Sequence, residues 1–181
     1  MYAKINVFFI SLLFVLTSCS STDKTDIKIP RLPRHVIAEV QKHLPIETSQ
    51  GGHVTEEKQK IPLLGFKTTY TIQNSEELLK LYKEVYLKLA TAMTPEEETS
   101  SWEGKLFIKK QPKVWLSFSN SSKTDMFPAP PAIALISMGP GGILGLSYWN
   151  SKTRRLERKS ETSLCELFKE ELSSDGLKQE G

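Results

Sequence analysis

Ile133-Ala134-Leu135-Ile136-Ser137-Met138-Gly139-Pro140-Gly141-Gly142-Ile143-Leu144-Gly145-Leu146-Ser147-Tyr148-Trp149 reads as two strands and the turn between them. Ile133 to Met138 and Ile143 to Trp149 are apolar on both faces, the pattern of central strands. Gly139 to Gly142 supplies the residues that reverse a chain. An antiparallel pair at this point makes a sheet the framework of the fold, and the rest of the chain is read by how it extends or covers that sheet.

Toward the C-terminus, Asn150-Ser151 turns the chain into Lys152 to Lys159, where Leu156 is the only apolar residue. A strand so charged fits an edge, because charge there discourages pairing with another chain. Ser163 and Glu166 have capping-box spacing, and Leu164, Cys165, Phe168 and Leu172 share a face of a helix that ends near Gly176. That face makes Cys165 a small buried apolar residue.

Toward the N-terminus, residues 120–131 form a loop rich in Ser and Pro. Lys105 to Lys110 and Lys113 to Ser119 read as a hairpin around Gln111-Pro112, with Val114, Leu116 and Phe118 on one face. Asn74 is an N-cap with Glu77 at capping-box distance. Leu78, Leu79, Tyr82, Val85, Tyr86, Leu89 and Met93 then make an apolar stripe, with Lys80, Lys83, Glu84 and Lys88 turned away. The spacing predicts a helix from Ser75 to about Met93 that packs across the sheet. Phe66, Thr68, Tyr70 and Ile72 alternate with Lys67, Thr69 and Thr71 as a half-buried strand does. Residues 46–60, with Gln50-Gly51-Gly52-His53, read as a polar loop. Val36, Ile37, Val40 and Leu44 make a short first helix between Pro33 and Pro45.

The expected fold is α+β: a mainly antiparallel sheet of about five to six strands with helices packed on one face, in a single domain over residues 33–174 and followed by a polar tail at 175–181. Composition agrees. With 39% hydrophobic and 25% charged residues in 181, the chain has the balance of a globular protein rather than of a disordered tail, a collagen or a multi-span membrane protein. Its 24 basic and 21 acidic groups leave a net charge of +3, which gives no electrostatic argument for nucleic acid.

The first 18 residues depart from that average, since Lys4 is their only charged side chain. Val7 to Leu16 is an unbroken run of largely apolar residues after a basic start, and Thr17-Ser18 follows it. Such a run rises only about 15 Å as a helix, half of the hydrocarbon thickness, so it reads as an export signal rather than a span. Leu16-Thr17-Ser18-Cys19 resembles the lipobox of bacterial lipoproteins. The resemblance implies cleavage between Ser18 and Cys19, a diacylglyceryl group on the Cys19 thiol and a fatty acyl group such as palmitate on the new amino terminus. Two or more acyl chains hold a protein on a bilayer stably. The family pattern also implies that Ser20, in place of an Asp after the Cys, favours the outer membrane in a Gram-negative host. Residues 19–32 are then a lipid-anchored tether. Cys165 is the one other cysteine, so an internal disulfide is not expected.

Few residues suggest chemistry. His35, His43 and His53 lack the spacing of a zinc site. No Ser lies in a Gly-x-Ser-x-Gly elbow, and Pro140 removes an amide that a phosphate loop would need. No cofactor motif stands out. Glu96-Glu97-Glu98 reads as a solvated acidic loop. The candidate contact residues are Tyr148, Trp149, Arg154, Arg155 and Arg158, beside Lys152 and Lys159, a basic group suited to an anionic envelope component or an acidic partner protein. Met126-Phe127-Pro128-Ala129-Pro130-Pro131 is either a contact knob or a cover folded over the sheet.

The functional expectation is a lipid-anchored cell-envelope lipoprotein, facing the periplasm or the cell surface, that binds or scaffolds and is not an enzyme. Two alternatives stand beside it. One is an envelope hydrolase or transferase acting on wall or lipid material through a site assembled by the fold, and the other is a surface-exposed host-contact protein.

Overall fold

A computed structural model describes residues 34–56, 58–93, 101–108, 110–121 and 127–178 of the chain. The signal, Cys19, the tether and the acidic run at 96–98 lie outside them. The described residues form an α+β domain with a six-stranded sheet in the order β1-β2-β5-β6-β7-β8. Its strands are β1 (Ile46–Glu56), β2 (Gln59–Thr68), β5 (Trp115–Ser119), β6 (Leu135–Met138), β7 (Ile143–Asn150) and β8 (Arg155–Ser163). A two-stranded ladder of β3 (Phe107–Ile108) and β4 (Gln111–Pro112) stands beside it.

Leu64 and Phe66 of β2 stand opposite Leu116 and Phe118 of β5, Phe118 opposite Ile136 of β6, and Ile136 opposite Leu146 of β7. All are buried. Because side chains alternate between faces, this register puts one apolar face across the four central strands.

Helix α2 (Ser75–Ala92) covers that face. Asn74 caps it by accepting a hydrogen bond from the Glu76 amide at 2.9 Å. Leu78, Leu81, Tyr82, Val85, Tyr86, Leu89 and Ala90 are its buried set, and each fully buried aliphatic side chain is worth about 1.5–3 kcal/mol relative to exposure. Leu79 and Met93 of the expected stripe are only half-buried. Tyr82 meets Phe118 edge-on at 5.4 Å, and its hydroxyl donates to the Leu116 carbonyl at 3.0 Å. The Tyr86 hydroxyl donates to the Leu106 carbonyl at 2.8 Å. Burial pushes both phenols well above their ordinary range, so both stay neutral donors.

α1 (Arg34–His43) lies against α2 and places Val40 in the core. α3 (Trp102–Leu106), α4 (Leu164–Leu167) and α5 (Lys169–Lys178) complete the helices. Lys83 is half-buried rather than turned away. Its ammonium lies over the Phe168 ring at 5.1 Å and pairs with Glu171 at 2.6 Å, tying α2 to α5.

Four further expectations are corrected. Residues 46–56 form β1 rather than a loop. From Glu47 to His53 the strand is exposed on both faces, so it shows no alternation, although it pairs with β2 throughout apart from a bulge between Thr48 and Gln50. The strand expected at Phe66 to Ile72 is β2, which ends at Thr68. Beyond it the chain leaves the sheet, so Tyr70 is 50% exposed while Ile72 turns back into the core. The expected hairpin around Gln111-Pro112 shrinks to β3 and β4. β5 instead joins the main sheet, parallel to β2 and antiparallel to β6. The parallel pair needs a crossover, which α2 supplies. Cys165 is exposed, because α4 lasts one turn and then bends, and its buried contacts come from Leu164 and Phe168.

The two strands first quoted are β6 and β7, joined through a 3-10 turn at Pro140–Gly142 in which Gly141 and Gly142 both have positive φ. β8 is the expected charged edge strand, starting at Arg155 after a turn at residues 151–154.

Candidate functional site

The sheet face turned away from α2 carries the most continuous arrangement of polar side chains. The register places Gln50, Gly65, Ser117, Ser137, Gly145 and Glu161 in one transverse row across all six strands. Two glycines in the row are sites of close approach. A Cβ on Gly65 would come within 2.4 Å of Gln50 Cγ, and one on Gly145 within 2.5 Å of Arg158 Nε. Side chains from both edge strands therefore fold inward over glycine. From there Gln50 Nε2 donates to Ser117 Oγ at 3.3 Å, and Arg158 Nη1 donates to Glu161 Oε1 at 2.9 Å.

At the end of that face, the β7–β8 hairpin gathers some of the sequence candidates and separates others. Trp149 stands opposite Leu156, which is 36% exposed, and packs against the Phe127 ring at 5.6 Å. The 127–131 segment thus folds back as a cover, with Pro128 buried, while Met126 lies outside the described residues. Tyr148 belongs with the core. Arg158 is paired with Glu161, and Lys159 pairs with Glu157 at 3.0 Å.

Lys152, Arg154 and Arg155 are all exposed and have no ion-pair partner among the described residues. The turn that presents them is built from within. Asn150 Oδ1 accepts from the amides of Lys152 at 2.9 Å and Thr153 at 3.2 Å, and Arg154 takes a left-handed φ of 53°. Glu157, on the rung after Leu156, is engaged through both oxygens. Asn150 Nδ2 and Thr153 Oγ1 donate to Oε1, and the Lys159 ammonium meets Oε2. The Lys159 contact, then the Asn150 amide, holds the Glu157 carboxyl below its usual value.

The exposed His53 imidazole and the Cys165 thiol stay apart. His53 is exposed on β1, one edge of the sheet, and Cys165 follows β8, the other edge. Five strand spacings, about 24 Å, separate those edges. His35 and His43 lie on α1. Among the described residues no group of three or more His, Cys, Asp or Glu is arranged to hold a metal ion, and no helix is long and apolar enough to cross a membrane.

Sequence reasoning missed Lys113 and Asn120. Lys113 is only 2% exposed, just before β5, and its amide donates to the Leu106 carbonyl. Asn120, also 2% exposed, joins the ends of three segments through its side chain. A polar residue next to an alternating apolar strand was the one available signal for each. The Gly139–Gly142 turn likewise has an unforeseen partner, since the Gly141 amide donates to Glu56 Oε1 at 3.1 Å.

No family model, curated protein or solved structure matches the chain.

Proposed function

We propose that the chain is a lipid-anchored cell-envelope lipoprotein whose α+β domain is a non-enzymatic binding or scaffolding module. The observation that carries the reading is Leu16-Thr17-Ser18-Cys19, set directly after the apolar run from Val7 to Leu16. Ser20 after the cysteine points to the outer membrane in a host that has one.

The architecture supports a binding role. Helices cover one sheet face, whereas the opposite face presents the hydroxyls of Ser117 and Ser137 between Gln50 and Arg158, with Trp149 and the exposed cations Lys152, Arg154 and Arg155 at one end. That surface offers hydrogen-bond donors, acceptors and positive charge. It suits a polar or anionic envelope component held without chemical change.

Metabolic labelling with an alkyne fatty acid tests the anchor. The wild-type chain takes up label and partitions with membranes, and Cys19→Ala loses both; equal labelling of the two would overturn the anchor. A photo-crosslinker placed at Ser137 tests the face, with a discrete crosslinked envelope product expected. The same product from a crosslinker at exposed Lys88 on α2 would assign binding elsewhere.

A further inference from the structure

We propose that the β7–β8 hairpin tip is a second, non-covalent membrane contact that binds the phosphate headgroups of anionic lipids. Three exposed cations, Lys152, Arg154 and Arg155, occupy four consecutive positions and have no ion-pair partner among the described residues. Salt bridges answer the other cations of β8, Arg158 and Lys159. Glu157, the acid closest to the tip along the strand, spends both oxygens on Asn150, Thr153 and Lys159, so it holds the turn together rather than pairing with the three cations.

The chemistry behind the cations selects a bilayer over a soluble polyanion. Trp149, Leu156 and Phe127 form an apolar cluster next to the tip, with Leu156 exposed and Trp149 half-buried. An indole beside basic side chains is suited to the headgroup level, where one end of the group is apolar and the other wet. A soluble acidic glycan would use the cations and leave Leu156 in water.

Reach is not limiting. Residues 20–33, at about 3.3–3.6 Å each, span up to roughly 50 Å, beyond the roughly 36 Å diagonal of a sheet about 24 Å wide and about 27 Å along β7, at whose far edge from α1 and β1 the hairpin lies. Acyl chains on Cys19 would keep the hairpin at high effective concentration near the bilayer, and a basic patch is the kind of second signal that makes lipid attachment firm. The inference rests on the anchored reading for that proximity and not for the headgroup contact itself.

The test uses the mature chain from residue 19 carrying Cys19→Ser, which holds neither lipid nor the apolar signal, and compares sedimentation with phosphatidylcholine vesicles and with vesicles containing phosphatidylglycerol at about 0.15 M salt. The expected result is roughly a hundredfold preference for the anionic vesicles, as three cations near a charged surface supply. Lys152→Gln, Arg154→Gln and Arg155→Gln together should reduce it to under about tenfold, while Leu156→Ser weakens binding to both vesicles and keeps their ratio. A preference unchanged by the triple substitution overturns the proposal. So does capture of the chain by polygalacturonate through the same three cations with no vesicle binding. An acylation failure at Cys19 would remove the anchor and leave this ratio intact, so the two failures are distinguishable.

Discussion

Asn120 grips Ile72 by both backbone polar groups: its Oδ1 accepts from the Ile72 amide at 3.0 Å, and its Nδ2 donates to the Ile72 carbonyl at 2.7 Å. The same Nδ2 donates to the Ile133 carbonyl at 2.8 Å, and Thr68 Oγ1 donates to Oδ1 at 3.2 Å. One buried amide thus joins the end of β2, the approach to α2 and the approach to β6. Asn120→Ala strands these groups without partners and should cost about 3 kcal/mol or more in urea unfolding. Asn120→Asp keeps an acceptor for the Ile72 amide, loses both donations and buries a charge. It should be less stable than the Ala variant at pH 7 and recover toward it on mild acidification. A loss under about 1 kcal/mol in both variants would contradict this assignment.

Gly145→Ala and Gly65→Ala act on side chains rather than on backbone. The added methyl at Gly145 meets the mobile end of Arg158, which can swing into water, so thermal stability should change by no more than a few degrees while the Arg158–Glu161 pair is lost. At Gly65 the methyl meets Gln50 Cγ and Ser49 Oγ, close to their own backbone. This substitution should be the more damaging of the two, read as the difference in melting temperature.

The Glu157 carboxyl is held below its usual value by Lys159 and Asn150, which fixes the sign of an acid effect. Its contribution is complete above the ordinary carboxylate value of 4.5 and is lost as the pH falls through the lowered folded value. On acidification the amides of Lys152 and Thr153 should lose hydrogen-exchange protection before those of β5. Glu157→Gln should remove the pH dependence of that opening.

At the alkaline end the sign reverses. Burial raises the phenols of Tyr82 and Tyr86, so the folded state is fully favoured below the ordinary value of 10.0 and loses that advantage as the pH rises past it. Both tyrosines should ionise only as the chain unfolds, with absorbance at 295 nm and far-ultraviolet dichroism changing together. The variant Tyr82→Phe with Tyr86→Phe should show two fewer tyrosinates in that transition. Tyr82→Phe alone forfeits its hydrogen bond to Leu116, a loss of about 0.5–1.5 kcal/mol.

The parts of the fold legible in the sequence are those with an apolar period. α2, β6, β7, the charged edge β8 and the Ser163 cap were all readable, because one-sided burial and capping chemistry write themselves into residue spacing. β1 was not, because an edge strand wet on both faces needs no alternation, and Gln50-Gly51-Gly52-His53 looks like a loop. The placement of β5 was hidden for another reason: parallel pairing across a crossover leaves no local signal, so nearness to Gln111-Pro112 suggested a hairpin instead. At the candidate site, Trp149, Arg154 and Arg155 were found by composition. Composition could not separate them from Arg158, because partners such as Glu161 and the bare backbone of Gly145 are revealed only by register.

The single parallel pair among the described strands, β2 with β5, also sets an order of assembly. On one side of it lies a hairpin of β1 and β2, and on the other a meander from β5 to β8, each closed by neighbours in sequence. Joining them brings together positions as far apart as Glu56 and Gly141, 85 residues along the chain. That closure bears the larger chain-entropy cost and should set the rate of folding. Each half has its own local pairing, whereas α2 gains its apolar floor only when both are present. The helix that carries much of the core is therefore also the clasp that times the last step.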